Sequence, residues 1–153
     1  MKRSLLLIAI TTLSFVSIQV SAQKHAFYVS AGPSMSLNNG HYVSIGAEIG
    51  AWGIESKTTL GAAVSYTPDT KDWYVGFKPY YTIKDHKNYC IMFYACPQIQ
   101  LTNDKLFIME EGFWGNLNLS KSFLWGVSIG AQHYKGNAFQ PVASTGLVYL
   151  LRK

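Results

Sequence analysis

The sequence predicts an all-β fold: a single eight-stranded antiparallel up-and-down β-barrel. One observation is a period of two, because Val43 and Ile45 alternate with small or polar residues such as Ser44 and Glu48 over the stretch 41–52. This alternation is typical of a strand whose two faces meet different environments. A second observation is that seven turn-like segments divide the chain after residue 22 into eight such stretches. The turn-like segments lie at 38–40, 52–53, 67–69, 84–88, 103–104, 118–121 and 135–137.

The predicted strands are long and evenly spaced. They lie at 25–36, 41–52, 55–66, 72–83, 89–101, 105–117, 121–133 and 139–151. Most are long enough to cross a bilayer at the tilt of a barrel strand, which takes about 9 to 11 residues.

Residues 1–22 have the pattern of a secretory signal peptide. Lys2 and Arg3 precede an apolar run over 5–16, and small residues follow up to Ala22. The run is too short for a transmembrane anchor, which is the alternative interpretation. We therefore expect cleavage between Ala22 and Gln23, leaving residues 23–153 as one barrel domain.

The composition indicates a surface with too few charged residues to face water throughout. Charged residues make up 14% of the chain, against about 25% in an average soluble domain, and aromatic residues also reach 14%. The basic residues are scattered over the predicted turns, which predicts no nucleic-acid partner.

The two faces of the strands differ in a way that predicts a transmembrane barrel. Small residues such as Ser30, Gly46 and Ser128 form one face, which suits a narrow, mostly filled lumen. The other face is apolar and suits lipid. A soluble periplasmic or secreted barrel stays open as an alternative; it would turn the apolar face inward around a small apolar ligand. Its cavity would be lined by Val43, Ile45, Val75 and Phe77.

Five charged residues within or next to the strands share the parity of the small-residue face: Glu48, Glu55, Lys57, Lys78 and Glu110. Because an unpaired buried charge is costly, we expect these side chains to form an ion-pair network in the lumen. An ion or proton path is the alternative. Glu111 has lipid-facing parity and is expected near an interface or at a bulge.

Aromatic residues cluster near the predicted strand ends with outward parity, which is typical of the two interfacial girdles of membrane barrels. They are Tyr66, Trp73, Tyr81, Tyr89 and Tyr149, and Trp52 joins them at a predicted turn. Trp114, Tyr74 and Tyr94 have inward parity instead.

Cys90 and Cys96 lie in one predicted strand, about 20 Å apart at roughly 3.3 Å per residue. A disulfide requires Cα atoms within about 7 Å. We expect two free lumen-facing thiols, although exported proteins usually oxidise paired cysteines.

The chain resembles the small eight-stranded outer-membrane β-barrel proteins of Gram-negative bacteria over nearly all of residues 23–153. Such barrels end on a signal that the barrel-assembly machinery reads, and Gly146, Tyr149 and Leu151 are similar to it. The resemblance implies outer-membrane localisation, surrounding lipid, both termini in the periplasm and a monomer. It also implies a porin-like architecture whose outer loops, at 37–40, 67–71, 102–104 and 134–138, are short. Together these features predict a structural or surface-interaction role without enzyme activity.

One segment points weakly to catalysis. Residues 133–138 are similar to the His-x-Ser-Asn signature of lipid A deacylases, with His133 as the base of that family. Lys135 stands where the nucleophilic serine is required, and no carboxylate follows in the eighth strand. A lipid A-modifying enzyme remains a further alternative. The four histidines are dispersed, so we predict no metal and no cofactor.

Overall fold

The computed structural model describes residues 25–36, 42–53, 56–102, 106–134 and 139–151. The predicted signal peptide and its cleavage site at Ala22 and Gln23 lie outside the described residues. Eight strands run through the described chain: β1 (His25–Ser36), β2 (Val43–Gly53), β3 (Thr58–Thr67), β4 (Asp72–His86), β5 (Tyr89–Gln100), β6 (Phe107–Asn118), β7 (Phe123–Tyr134) and β8 (Gln140–Leu151).

The strands form one closed barrel in sequence order. Each pairs antiparallel with the next, and β1 pairs with β8 to close the ring. The predicted fold class is therefore confirmed, with strand ends within three residues of those expected. We call the end that carries the β1–β2, β3–β4, β5–β6 and β7–β8 connections the loop end, and the opposite end, at which β1 starts and β8 finishes, the turn end.

The largest difference from the sequence prediction lies between β4 and β5. Residues 84–88 were expected to form a turn, but β4 continues to His86 and only Lys87 and Asn88 connect it to β5. The pairing register shifts between Thr82 and Lys84, as a β-bulge at Ile83 requires. The polar residues past the bulge therefore extend the strand.

The outer face of the barrel is apolar, as predicted, and the inner face carries small and polar residues in its loop-end half. Phe27, Ile49 and Ile129 are 67%, 61% and 68% exposed on the outside. Their chain neighbours Tyr28 and Glu48 are buried inside. Within the described residues, no helix is both long and apolar enough to cross a membrane.

Large side chains fill the lumen at the turn end. We call this cluster the floor; its members are Tyr28, Tyr80, Met92, Tyr94, Trp114, Leu124, Val148 and Leu150. Trp52 was predicted to lie in the outer girdle, but this is wrong. Because β2 runs on to Gly53, the ring of Trp52 faces inward and packs edge-on against Tyr28 at 6.0 Å.

Other aromatic residues do lie on the outer face near the barrel ends. Tyr66 and Trp73 pack with ring centroids 4.8 Å apart near the loop end, and Phe123 and Tyr149 do the same near the turn end. These pairs occupy the levels at which membrane barrels carry interfacial aromatic residues.

Prolines interrupt two of the eight strand–strand seams. Between β4 and β5 the bridged pairs stop at Gly76 and resume at Tyr80, and this gap contains Pro79 and the opposing Pro97. Between β1 and β8 the bridged pairs skip Gly32 and Pro33. Proline has no N–H to donate to a ladder, so it fits where bridges are missing.

Candidate functional site

Above the floor, the lumen holds a cavity of about 390 Å³, which we call the cup. Residues at the loop end of the strands form its mouth, among them Ser36, Tyr42, Thr67, Gln100 and Gln140. The lumen is therefore filled in its turn-end half and hollow in the other, whereas the sequence predicted a mostly filled interior.

Alanine, glycine and aliphatic residues line part of the cup, and the polar part of its wall is built from hydroxyl and amide side chains. They share the small-residue parity of the strands and include Ser30, Ser34, Ser44, Ser65, Thr67, Gln98, Ser128, Gln132 and Ser144. Some bond to one another across neighbouring strands. Ser44 Oγ lies 2.6 Å from Thr67 Oγ1, and Ser128 Oγ lies 2.6 Å from Ser144 Oγ.

Glu48 reaches from β2 to the boundary between cup and floor. Its carboxylate accepts hydrogen bonds from the phenol groups of Tyr28 and Tyr80, the second at 2.7 Å. The side chain is buried. Two phenol donors stabilise a carboxylate that has lost most of its water.

Glu110 is held by a second set of neutral donors. Tyr94 Oη donates to Oε1 at 2.9 Å, while the amides of Gln98 and Gln132 each donate to Oε2 at 2.9 Å. Every carboxylate oxygen at the base of the cup therefore accepts at least one hydrogen bond.

Lys78 lies among aromatic rings at the base of the cup. Its Nζ is 4.2 Å from the ring centroid of Tyr94 and 5.6 Å from those of Tyr80 and Trp114. These distances suit cation–π attraction, which is worth more when the ammonium has lost water.

The predicted ion-pair network needs correction. Glu48, Lys78 and Glu110 face the lumen as expected, but no lysine–carboxylate pair lies within 4 Å among the described residues. Phenol and amide donors from neighbouring strands reach the carboxylates instead. Lys57 is exposed in the bend before β3, with its Nζ 6.0 Å from the outward ring of Tyr81. Glu55 lies outside the described residues.

The tyrosines are the site residues that sequence reasoning missed. Tyr28, Tyr80 and Tyr94 have the same inward parity as the carboxylates they contact. That parity is readable in the sequence and could have identified them as donors. Proximity in the sequence could not have identified them, since Tyr28 and Tyr80 lie 20 and 32 residues from Glu48.

A second polar site lies on the outer surface near the loop end. His133 Nε2 is 3.4 Å from Glu111 Oε1, and both side chains are nearly half exposed. The His133 ring also packs edge-on against Phe139 at 5.0 Å. The sequence predicted that the eighth strand supplies no carboxylate to His133; the carboxylate beside it, Glu111, comes from β6.

The residues of the proposed assembly signal lie along β8. Gly146 faces the lumen, while Tyr149 and Leu151 face outward. The cysteines are free and buried on the inner face of β5, as predicted. No group of three or more potential metal ligands occurs in the described parts of the chain.

Taken together, the closed eight-stranded ring, the apolar outer face and the partly polar lumen give the chain the architecture of small transmembrane β-barrels. No protein-family model and no curated protein sequence matches this chain. The similarity to solved structures is one of fold. The N-terminal β-barrel domain of Pseudomonas aeruginosa OprF superposes with a TM-score of 0.69 at 11% identity, covering 84% of this chain and 100% of that domain.

Two further structures have the same architecture. The Yersinia pestis outer membrane protein Ail, in a phospholipid bilayer nanodisc, matches with a TM-score of 0.59 at 8% identity over 84% of this chain and 100% of Ail. The de novo designed barrel TMB2.3 matches with a TM-score of 0.59 at 13% identity over 86% of this chain and 99% of the design. The chain thus has the fold of eight-stranded outer-membrane barrels, and this likeness supports a membrane barrel.

Proposed function

We propose that this protein is a monomeric, non-enzymatic integral outer-membrane β-barrel with a structural or surface-interaction role. The observation that carries the proposal is the apolar belt on the outside of the barrel. Phe27, Ile49 and Ile129 are more than 60% exposed there, on three different strands. A continuous apolar surface of this kind is stable in lipid and aggregates in water.

The arrangement disfavours the soluble ligand carrier. That alternative requires Val43, Ile45, Val75 and Phe77 to line an internal cavity. All four side chains lie on the outer face, between 38% and 61% exposed. The space inside is lined instead by hydroxyl and amide side chains together with small and aliphatic residues.

The packing of the floor supports a barrel that does not conduct ions or solutes. Met92, Tyr94 and Leu124 are each at most 4% exposed and fill the lumen below the cup. A solute that enters the cup from the loop end therefore meets closely packed side chains. This favours a structural or surface role over porin-like transport.

Export and insertion complete the proposal. A signal peptide cleaved between Ala22 and Gln23 would deliver the chain to the periplasm. The barrel-assembly machinery would then read Gly146, Tyr149 and Leu151 on β8. Insertion with both termini in the periplasm exposes the loop end, and with it the mouth of the cup, to the cell exterior.

The test is expression of the full chain in a Gram-negative host, followed by fractionation and a gel run with and without boiling. Integral membrane barrels resist the detergent until heated and then change mobility. We expect a detergent-extracted outer-membrane band that shifts on boiling. Recovery in the soluble periplasmic fraction would contradict the proposal.

The pair formed by His133 and Glu111 favours one second candidate, an enzyme that modifies lipid A. A carboxylate that orients a histidine is part of the arrangement that activates a nucleophile. Position 135, where the deacylase signature carries serine, is lysine and lies outside the described residues. The test is the mass spectrum of lipid A from cells that express the wild type, His133→Ala or the neighbouring outward variant Ile129→Ala. Loss of one acyl chain with the wild type and Ile129→Ala, but not with His133→Ala, would support the enzyme; identical spectra would exclude it.

A further inference from the structure

The cup has the form of a ligand site, and the hydroxyl side chains of its wall have no role in the proposed function. We propose that the cup binds a small, uncharged, polyhydroxylated molecule of the size of a mono- or disaccharide. The inference depends on the proposed function only in taking the loop end as the end that faces the cell exterior.

The size and shape of the cavity suit a small ligand. Its volume of about 390 Å³ lies within the range of ligand pockets, about 300–1,000 Å³. The floor closes one end, so a ligand that enters is surrounded on all sides but one. Enclosure allows many weak contacts to act on a small molecule at once.

The wall offers groups that both donate and accept hydrogen bonds. Hydroxyl side chains do so at Ser30, Ser34 and Ser65, and amide side chains at Gln98 and Gln100. A ligand rich in hydroxyl groups has the same dual character, so each of its groups can find a partner in more than one orientation.

Some wall hydroxyls are paired with each other across the cup wall. The pairs Ser44–Thr67 and Ser128–Ser144 are each 2.6 Å apart. A ligand hydroxyl can insert beside such a pair, or replace one of its members as partner. A ligand hydroxyl that donates to one member and accepts from the other leaves both wall oxygens with a hydrogen bond.

Charge at the base of the cup argues for an uncharged ligand. Glu48 and Glu110 outnumber Lys78, which disfavours an anion. The carboxylate oxygens accept bonds from phenol and amide groups, so a cation entering the cup finds them already engaged. No carboxylate oxygen of the described residues lies within 4 Å of Lys78 Nζ, which can donate to a ligand hydroxyl instead.

An aromatic surface at the base completes the site. The indole of Trp114 lines the cup and donates its N–H to Asn116 at 2.7 Å, which fixes the ring. A rigid ring offers apolar contact area at a small entropic cost. The C–H face of a sugar ring is the part of a polyol that packs against such a surface.

The experiment uses the full barrel in nanodiscs of phosphatidylcholine, so that no sugar-based detergent competes. Backbone amide shifts are followed by ¹H–¹⁵N NMR while glucose, and separately maltose, is added. Ala63→Leu fills the cup from β3, and Ala62→Leu places the same side chain on the outer face one residue earlier.

We expect saturable shifts at cup residues such as Ser65, Gln98 and Ser128 in the wild type and in Ala62→Leu. Apparent affinity should fall about tenfold or more in Ala63→Leu. Shifts that grow linearly with concentration, or that are equal in the two variants, would overturn the proposal. So would saturable shifts with sodium chloride alone.

The two proposals fail in different ways. A barrel that shifts on boiling but gives no saturable response to either sugar retains the membrane role and removes the ligand. A chain that never shows the gel shift contradicts the membrane role itself. The wild-type titration decides the question even if Ala63→Leu does not fold.

Discussion

The indole ring of Trp114 on β6 occupies the space that a Cβ would need at Gly126 on β7. A methyl group there would overlap the six-membered part of the ring and would lie 2.9 Å from Asn116 Oδ1. Comparable fits recur in the lumen, where a Cβ at Gly130 would lie 2.8 Å from Tyr94 Oη. The floor is therefore built from large rings that pack directly against bare backbone.

This fit predicts that Gly126→Ala destabilises the barrel by about 1–3 kcal/mol, the usual cost of overpacking. Gly115→Ala is the matched control, because nothing lies within 4 Å of a Cβ at that position. Urea midpoints in lipid vesicles should separate the two variants. Equal midpoints would show that Trp114 relaxes freely into the cup.

The phenol groups around Glu48 should stabilise its carboxylate form. Tyr80→Phe removes the 2.7 Å donor and should cost about 1–3 kcal/mol of unfolding free energy, since a buried acceptor loses a partner. In a Glu48→Gln background the same change should cost clearly less. A double-mutant cycle by urea unfolding measures this coupling, and additive effects would mean that the hydrogen bond contributes nothing specific.

The floor should block ion flow. We expect wild-type protein in planar bilayers to give no stepwise currents, and Tyr80→Ala/Trp114→Ala to give them. The control Tyr81→Ala/Trp125→Ala removes the same residue types from the outer face, where both side chains are exposed, and should stay silent. Currents from the wild type would contradict the closed floor.

Tyr149 should matter for assembly more than its packing alone explains. The pairs Phe123–Tyr149 and Tyr66–Trp73 have the same 4.8 Å centroid distance, so truncating either tyrosine removes a similar contact. If β8 carries the assembly signal, Tyr149→Ala should lower the amount of heat-shifting barrel in cells further than Tyr66→Ala does. Refolding of both purified variants in detergent serves as the control, and equal cellular yields would argue against the signal.

Cys90 and Cys96 should be protected by the lumen. Both thiols are free and at most 5% exposed, and reactivity with a maleimide requires access. We expect no labelling of the folded barrel and labelling of both thiols after boiling. Ser120→Cys, on the exposed β6–β7 turn, should label without heating. Because Cys96 borders the cup, a second label on the folded variant would show that the packing around a thiol loosens enough to admit the maleimide.

Alternation along the chain was sufficient to predict which way most side chains face. Phe77 and Lys78 are adjacent in sequence, and parity alone places the first outside and the second inside, as the structure has them. The prediction fails where a strand boundary is misjudged. The dipeptide Trp52–Gly53 has the form of a turn, yet β2 includes both residues, and Lys57 lies in a bend where alternation no longer applies.

The partners of the charged side chains in the lumen could not be predicted, because they depend on the level of each side chain along the barrel axis. Parity says that Glu48 faces inward, but the stagger between strands decides which side chains lie at its level. Opposite charge suggested Lys78 as a partner. The structure instead places Tyr28 and Tyr80 beside the carboxylate. The cavity in the loop-end half of the lumen could not be predicted for the same reason, since the stagger between strands decides the levels at which the large rings and the serines lie.

The two seams that prolines interrupt, β4–β5 and β1–β8, lie opposite each other in the ring. They divide the barrel into two four-stranded shells, β1–β4 and β5–β8, joined at both edges by ladders with missing bridges. Gly32, Gly76 and Cys96 beside these gaps line the cup. Because bridges are missing beside the cup, fewer hydrogen bonds there resist a change in the angle between the two shells than elsewhere along the two seams. If the cross-section of the barrel flexes from circular towards elliptical, the width of the cup changes while the packing of the floor stays the same.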